Sequence, residues 1–190
     1  MIKEEKDMWI CKQEEANYPQ RLKYFENMPE KLFVKGKLPD ENKKSVAIVG
    51  ARSCSYYGRT QAYEFARKLA ENGVQIISGM AMGIDGWAHR GALDGGGETF
   101  AVLGSGVDIC YPRQNADLYR KIPQQGGILS EYEPGDQPLA WHFPLRNRII
   151  SGLADLVLVI EARQKSGSLI TVEYALEQGR TVYALPGRVG

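Results

Sequence analysis

The clearest feature of the chain is an alternation of short apolar runs with longer amphipathic stretches from Ser45 onward. The apolar runs predict buried strands at 45–49, 74–77, 100–103, 128–129, 156–160 and 182–185. Apolar residues at helical spacing predict helices over 57–72, 84–93, 115–123, 145–153 and 170–178. Because the strands alternate with helices and are apolar on both faces, the pattern predicts a Rossmann-like α/β fold. In such a fold a mainly parallel sheet carries helices on both faces.

The first 44 residues have a different texture, being polar and charged. Leu22, Phe25 and Met28 stand at helical spacing, and 32–34 is a short apolar run. We therefore predict two parts: a short N-terminal appendage of one helix and one strand over 1–44, and a Rossmann-like core over 45–190. The chain ends soon after Gly187, which leaves open whether the core is truncated at its carboxyl end.

Composition narrows the class of protein. Of 190 residues, 43% are apolar and 25% charged, and the net charge is +1. The apolar fraction supports a folded core, while the near-neutral charge means that any positive charge holding a polyanion must be local. No apolar run reaches the roughly 20 residues that span a bilayer, and the charged N-terminus lacks an apolar signal core. We expect a cytoplasmic protein with no membrane partner.

Candidate chemistry lies directly after the predicted strands, where small polar loops recur at 50–53, 78–83, 104–106 and 166–168. In open α/β sheets, ligands sit beyond the carboxyl ends of the strands. Glycines let a ligand approach the backbone, and the N–H groups at helix N-termini attract anions. The loops therefore predict a phosphate-binding rim, although tight strand-to-helix turns are the alternative. The predicted contacts are Gly50, Arg52, Ser53, Ser78, Gly79, Met80, Gly83, Arg113, Asn115, Arg146, Arg148, Ser166, Gly167 and Ser168.

The arginines supply the local positive charge. Arg52 follows the first core strand, where a guanidinium suits a bidentate phosphate contact; an exposed turn residue is the alternative. Arg146 and Arg148 stand two apart on one predicted helix, so at least one should point to the rim or to a carboxylate. Structural ion pairs remain open for both. Arg113, close to Tyr111, combines a cation with an aromatic face, the pair that single strands use for phosphate contact and stacking.

Groups for catalysis, metals or cofactors are few. The loops match neither the Walker nor the dinucleotide fingerprint, which disfavours a mobile nucleotide cofactor. The two histidines and three cysteines lack metal-ligand spacing. Glu161 and Glu173 flank 166–171 and could form an acid/base pair, or could cap helices instead. Asp85, near a predicted helix start, suits a structural role towards free backbone N–H groups. We expect no catalytic residue, no metal and no cofactor.

The ordered set of motifs resembles the DprA/Smf family of DNA-processing proteins. The resemblance covers roughly residues 17 to 190 and is carried by VAIVGAR at 46–52, SGMAMGID at 78–85, LGSGVD at 103–108, LSEY at 129–132, FPLRNRII at 143–150 and SGSLIT at 166–171. Each motif alone is weak, but their order and spacing together are highly specific. Two departures stand out: the segment before the core is short, and no winged-helix segment comes after it within the chain.

The resemblance implies a non-enzymatic protein of natural transformation. Such a protein binds single-stranded DNA without regard to sequence, protects it, forms homodimers and helps to load the RecA recombinase. It places DNA contacts on Arg52, Ser53 and the 78–83 loop, and further ones on Arg113 and 166–168. The alternative is a nucleotide-binding enzyme of the nucleoside-monophosphate phosphoribohydrolase type on the same fold. Against it, the Pro-Gly-Gly of that enzyme loop is absent from 166–173.

Overall fold

A computed structural model describes residues 8–164 and 166–187 of the chain. Its strands, in chain order, are β1 Met8–Lys12, β2 Lys31–Gly36, β3 Ser45–Gly50, β4 Gln75–Ser78, β5 Thr99–Val102, β6 Gly127–Ser130, β7 Leu156–Glu161 and β8 Thr181–Ala184. Its helices are α1 Gln20–Lys23, α2 Tyr56–Glu71, α3 Ile84–Asp94, α4 Ala116–Gln125, α5 His142–Leu153 and α6 Ser168–Glu177, with a 3₁₀ turn at Arg113–Asn115 before α4.

The described strands form one eight-stranded sheet in the order β1-β2-β6-β5-β4-β3-β7-β8. The six strands from β6 to β8 in this order pair in parallel, whereas β1, β2 and β6 pair antiparallel. The predicted Rossmann-like fold with a mainly parallel sheet is therefore confirmed.

Helices cover both faces of the sheet because successive strand residues point to opposite sides. Val46 and Ile48 of β3 pack in the cluster that contains the alanines of α2 and α3. Ala47 and Val49 of the same strand pack with the apolar residues of α5 and α6. The face that carries α2 and α3 also carries α4, through a third cluster around Leu118. With both faces covered, the loops at the carboxyl ends of the strands are where a ligand is expected to approach the sheet.

The N-terminal segment differs from its prediction in two ways. It contains a second strand, β1, and β2 continues the core sheet by pairing with β6. The predicted helix through Leu22, Phe25 and Met28 is wrong, because α1 ends at Lys23 and Asn27 has a positive φ of 60°. Leu22 and Met28 are nevertheless buried in one cluster against α5. The apolar spacing of Leu22 and Met28 therefore reflects their burial in the same cluster and not a continuous helix. The division at residue 44 stays a prediction.

The helix bounds otherwise lie within a few residues of the sequence expectations. The largest shift is in α5, which begins three residues earlier than predicted, at His142. Pro144 falls in its first turn, where a missing N–H costs no intrahelical bond. Within the described residues, no helix combines the length and the apolar character that a bilayer crossing requires. The same residues contain no group of three or more metal-ligating side chains.

Candidate nucleic-acid interface

A cavity of about 490 Å³ lies at the carboxyl ends of β3 and β7. Its walls are the 50–53 loop, the first turns of α5 and the 166–168 loop that leads into α6. The structure thus brings about half of the predicted contact residues together at this cavity. The predicted residues that line this cavity are Gly50, Arg52, Ser53, Arg146, Ser166, Gly167 and Ser168.

Arg52 is an exposed cation of the cavity. Its guanidinium lies 5.3 Å from the ring centroid of Phe143, in the first turn of α5. Among the described residues, the Arg52 side chain has no hydrogen bond and no ion pair. Stacking on a ring restricts a guanidinium while leaving its in-plane N–H groups free. Arg52 is therefore held in place with donors available for an anion.

Arg146 lies deeper, in the floor of the cavity, and is only 4% exposed. It donates hydrogen bonds to the carbonyl oxygens of Gly79, at 2.8 Å, and Val102. Burial, together with the nearby charge of Arg52, lowers its pKa to about 10, while Asp85 acts in the opposite direction. Arg146 therefore remains charged at neutral pH. Its role combines structural hydrogen bonds with a positive contribution to the cavity.

Asp85 faces Arg146 across Gly79. Its carboxylate accepts a hydrogen bond from the Gly79 N–H at 3.1 Å. Burial raises the pKa of Asp85, and Arg146 and nearby backbone N–H groups oppose this rise. A Cβ at position 79 would lie 2.7 Å from atoms of both charged side chains. Gly79 is thus required by the protein's own buried charges, and the expected structural role of Asp85 agrees with these contacts.

Most of the 78–83 loop lies behind the cavity surface, with Ala81 in the lining, and several of its polar groups bond within the protein. The Ser78 hydroxyl donates to the carbonyl oxygen of Ile48 in β3. Met80 is fully buried and has a positive φ of 55°. The buried Asn115 amide donates to the carbonyl oxygens of Met80, at 2.9 Å, and Ala81, at 3.1 Å. The side chains predicted here as ligand contacts are therefore occupied by the protein itself.

Gly83 brings the 78–83 loop against the backbone of the 50–53 loop, which contains Arg52. It has a φ of 76°, and a Cβ there would lie 2.2 Å from the carbonyl oxygen of Ala51 and 2.4 Å from that of Arg52. The Ile84 N–H, at the start of α3, donates to the same Ala51 carbonyl. Gly83 thus permits the close backbone approach that fixes the position of the Arg52 loop.

Two further predicted arginines lie outside the cavity lining. Arg148 is on the other side of α5, because two residues correspond to roughly half a helical turn. It forms a bidentate pair with Glu131, with both contacts at 2.6 Å, and also donates to the Asn27 carbonyl. The structure thus favours the structural ion pair for Arg148. Arg113 is exposed in the 3₁₀ turn before α4.

The 166–168 loop presents the beginning of α6 to the cavity. The hydroxyl groups of Ser166 and Ser168 lie 2.7 Å apart. A Cβ on Gly167 would meet no atom within 4 Å, so this loop is open where the 78–83 loop is filled. Asn147 of α5 donates to the Gly167 carbonyl at 3.3 Å and joins the two walls. The first N–H groups of a helix attract anions.

Sequence reasoning missed Arg163, which is exposed and lines the same cavity. It stands two residues after β7, so a search for cations just beyond each strand end could have found it. Sequence reasoning also missed Phe143, whose position beneath Arg52 depends on α5 packing near β3 and has no local signal. Glu161 was considered as half of an acid/base pair. Its carboxylate accepts from the N–H and hydroxyl of Ser55, just before α2.

A mainly parallel sheet with an arginine-lined cavity at its carboxyl edge defines the chain as a Rossmann-like α/β protein. Residues 9–190 match the family described as DNA recombination-mediator protein A, and the chain belongs to this family. The resemblance to the DprA/Smf proteins is thereby confirmed. The DNA processing protein DprA of Streptococcus pneumoniae is 48% identical over 172 residues, which are 90% of this chain.

Two solved structures share the fold over nearly the whole chain. The X-ray structure of DprA from Streptococcus pneumoniae superposes with a TM-score of 0.91 at 44% identity, covering 97% of this chain and 65% of that one. DNA processing protein A from Helicobacter pylori, described with a unique single-stranded DNA binding mode, gives a TM-score of 0.85 at 32% identity. This match covers 96% of this chain and 82% of the Helicobacter pylori chain. The chain spans 61% of the length of the curated pneumococcal relative.

Proposed function

We propose that this chain binds single-stranded DNA through its phosphate backbone, without regard to sequence, at the cavity that contains Arg52. The observation that carries the proposal is an exposed guanidinium, fixed on Phe143, with no internal partner among the described residues. Because the net charge is only +1, a polyanion must be held by such a local group. The Helicobacter pylori relative, described by its single-stranded DNA binding mode, supports the same class of ligand.

The chemistry of the cavity favours phosphate over base recognition. Arg52 offers a bidentate fork, and the 166–168 loop adds the hydroxyl groups of Ser166 and Ser168 at the positive end of α6. Arg163 adds a second exposed cation, and the buried Arg146 raises the local positive potential. These groups recognise features common to all nucleotides. Binding that depends on them is therefore insensitive to sequence.

Exposed rings beside the cavity favour a single strand over a duplex. Tyr111, which is 45% exposed, packs on Phe143 with ring centroids 5.6 Å apart. Trp141, at the start of α5, is 58% exposed. Unpaired bases can stack on such rings, whereas the bases of a duplex are already stacked and paired. The function proposed here is binding without a chemical step.

The proposal is tested by Arg52→Ala, with Arg52→Lys as the matched control that keeps the charge but loses the planar fork. A charge-assisted hydrogen bond contributes about 1.5–3 kcal/mol. We therefore expect Arg52→Ala to weaken binding of a single strand by about 10–100-fold. Its salt slope should fall by about 0.7 for the lost phosphate contact. Arg52→Lys should keep the slope and lose part of the affinity. Fluorescence anisotropy at several salt concentrations measures both quantities.

Two results would contradict the proposal. One is an Arg52→Ala variant whose affinity equals that of the wild type at every salt concentration. The other is a wild-type protein that binds a nucleoside monophosphate and releases free base but binds no single strand. The second result would favour the phosphoribohydrolase-like enzyme on the same fold. Duplex DNA of the same sequence belongs in every titration, because preference for the single strand is part of the proposal.

The cellular role is inferred from the family and is proposed for the whole protein. We propose that it protects incoming single strands, forms a homodimer in the cytoplasm and helps to load RecA. Membership of the DNA recombination-mediator protein A family supports this role. Sedimentation of the purified whole protein would show a monomer if dimerisation is wrong. RecA filament assembly on a coated single strand would be no faster with the protein if the loading role is wrong.

A further inference from the structure

A second arginine is held by aromatic rings on the opposite face of the sheet from the cavity. Arg59, the fourth residue of α2, lies with its guanidinium 4.8 Å from the Tyr56 ring centroid and 5.1 Å from that of Trp87. Tyr56 is 73% exposed, and Trp87 is half-buried in the first turn of α3. We call Tyr56, Arg59 and Trp87 the α2–α3 strip.

The N–H donors of Arg59 are available to a ligand. Among the described residues, no hydrogen bond or ion pair occupies this side chain. The carboxylates of the surrounding elements have other partners. Those partners are Arg67 for Glu64, Tyr63 for Asp94, Arg90 for Asp117 and Ser55 for Glu161. Arg59 therefore repeats the arrangement of Arg52, a guanidinium placed against a ring without an acidic partner.

The strip lies close to the cavity even though it is on the other face. The Ala51 carbonyl of the Arg52 loop accepts the N–H of Ile84, the first residue of α3. The same loop runs through Ser55, the N-cap of α2, into that helix. Arg59 and Trp87 are each the fourth residue of their helix, so each lies about one turn, or roughly 5 Å, from the helix start. The strip therefore begins within about one helical turn of the Arg52 loop.

We infer that the α2–α3 strip is a second contact site for the single strand, which passes from the cavity over the sheet edge onto α2 and α3. This inference rests on the proposed function and extends it. Arg59 binds one phosphate outside the cavity, and the exposed ring of Tyr56 stacks on an adjoining base. Base–ring stacking and a guanidinium contact are both indifferent to sequence. The strip therefore lengthens the bound segment without adding base readout.

The inference predicts an effect that depends on strand length. Oligothymidines of about 4 and about 16 nucleotides bracket the site sizes of sequence-neutral single-strand binding folds. Arg59→Ala should weaken binding of the longer strand by about tenfold and reduce its salt slope by about 0.7, since one phosphate contact is lost. Tyr56→Ala should weaken the same complex by a similar factor with an unchanged slope. Neither variant should change the affinity for the shorter strand, which the cavity holds alone.

Arg67→Ala is the matched control, because it removes the same side chain from the same helix two turns further on. Arg67 is paired with Glu64 and Glu71 and should be silent in DNA binding. Thermal unfolding of each variant checks that the fold is intact. Equal effects of Arg59→Ala and Arg67→Ala on the longer strand would overturn the inference. So would an Arg59→Ala variant that weakens both strands equally, because the strip would then act through the cavity.

The two proposals fail in different ways in this experiment. If Arg52→Ala weakens both strands while Arg59→Ala changes neither, the cavity binds DNA and the strip does not. If the wild-type protein binds neither strand, the proposed function is wrong and the strip loses its ligand.

Discussion

Two glycine-containing loops at the same sheet edge look alike in sequence but differ in their relation to solvent. The 166–168 loop is open: a Cβ on Gly167 would meet nothing within 4 Å. The 78–83 loop is closed: Gly79 lies against Arg146 and Asp85, and Gly83 against the backbone of the Arg52 loop. Of these three glycines, only Gly167 of the open loop lines the cavity.

The comparison separates two reasons for a glycine after a strand. In the open loop the missing side chain leaves room for a ligand. In the closed loop it leaves room for the protein's own charged groups and backbone. The closed loop then fixes the geometry of the open side, since Gly83 positions the carbonyls beside Arg52 and the Gly79 carbonyl accepts a hydrogen bond from Arg146. One loop faces the cavity, and the other packs against the protein's own groups.

The largest expected effect is on stability, when glycine is replaced by alanine in the 78–83 loop and, for comparison, in the 166–168 loop. Gly83→Ala places a Cβ against backbone atoms at a positive φ, so we expect a loss of about 4 kcal/mol in the free energy of unfolding. This figure combines about 1–3 kcal/mol for overpacking with about 1–3 kcal/mol for backbone strain. Gly167→Ala, in open space at a φ of −60°, should change stability by less than about 0.5 kcal/mol. Urea denaturation measures both, and equal losses would remove the distinction between the loops.

A second test compares one substitution at a buried and at an exposed arginine. Arg146→Met leaves the carbonyl oxygens of Gly79 and Val102 without their donor inside the protein. We expect a loss of about 3 kcal/mol, because each unsatisfied buried group costs about 1–3 kcal/mol. Arg52→Met should alter stability by less than about 0.5 kcal/mol while weakening DNA binding. Denaturation and anisotropy on the same samples check this, and a strongly destabilised Arg52→Met variant would speak against an open site.

The smallest expected effect, about 1.4 kcal/mol for one unit of pH, is a pH dependence of stability that arises at the buried face of α3. His89, in α3, is fully buried; its Nδ1 contacts the Thr99 hydroxyl, and its Nε2 has no partner among the described residues. Burial, with the charges of Arg146 and Arg90, lowers its pKa from 6.5 to about 3. Between these values the unfolded chain binds the extra proton. The stabilisation is therefore complete above pH 6.5 and decreases as the pH falls.

The measurement is the unfolding equilibrium constant at a series of pH values. His89 should raise this constant by about tenfold for each unit of decreasing pH. The variant His89→Gln does not titrate, so its profile should be flatter by that amount over the same interval. Parallel profiles for the two proteins would show that His89 is not held neutral. DNA affinity serves as the contrast, because His89 does not line the cavity.

Local pattern was sufficient for most of the fold. Helical and strand periodicities depend on neighbouring residues, so the order of the core elements and their approximate bounds could be predicted. The same pattern indicated the sheet edge where the candidate cavity lies, because parallel strands share one carboxyl edge and Arg52 stands directly after β3. In the N-terminal segment the apolar spacing predicted a helix that the structure does not contain. Leu22 and Met28 are both buried in the same cluster, but not within one helix.

Long-range packing decided which predicted residues face the cavity. Arg146 and Arg148 are nearly equivalent in sequence, yet one reaches Gly79, 67 residues away, and the other reaches Glu131. Likewise, the glycines at 79 and 167 differ only in what the folded chain brings against them. A residue's own neighbours in sequence specify its backbone and its burial. Whether its polar groups are left for a ligand depends on distant groups that compete for the same hydrogen bonds, and those meet only when the layers pack.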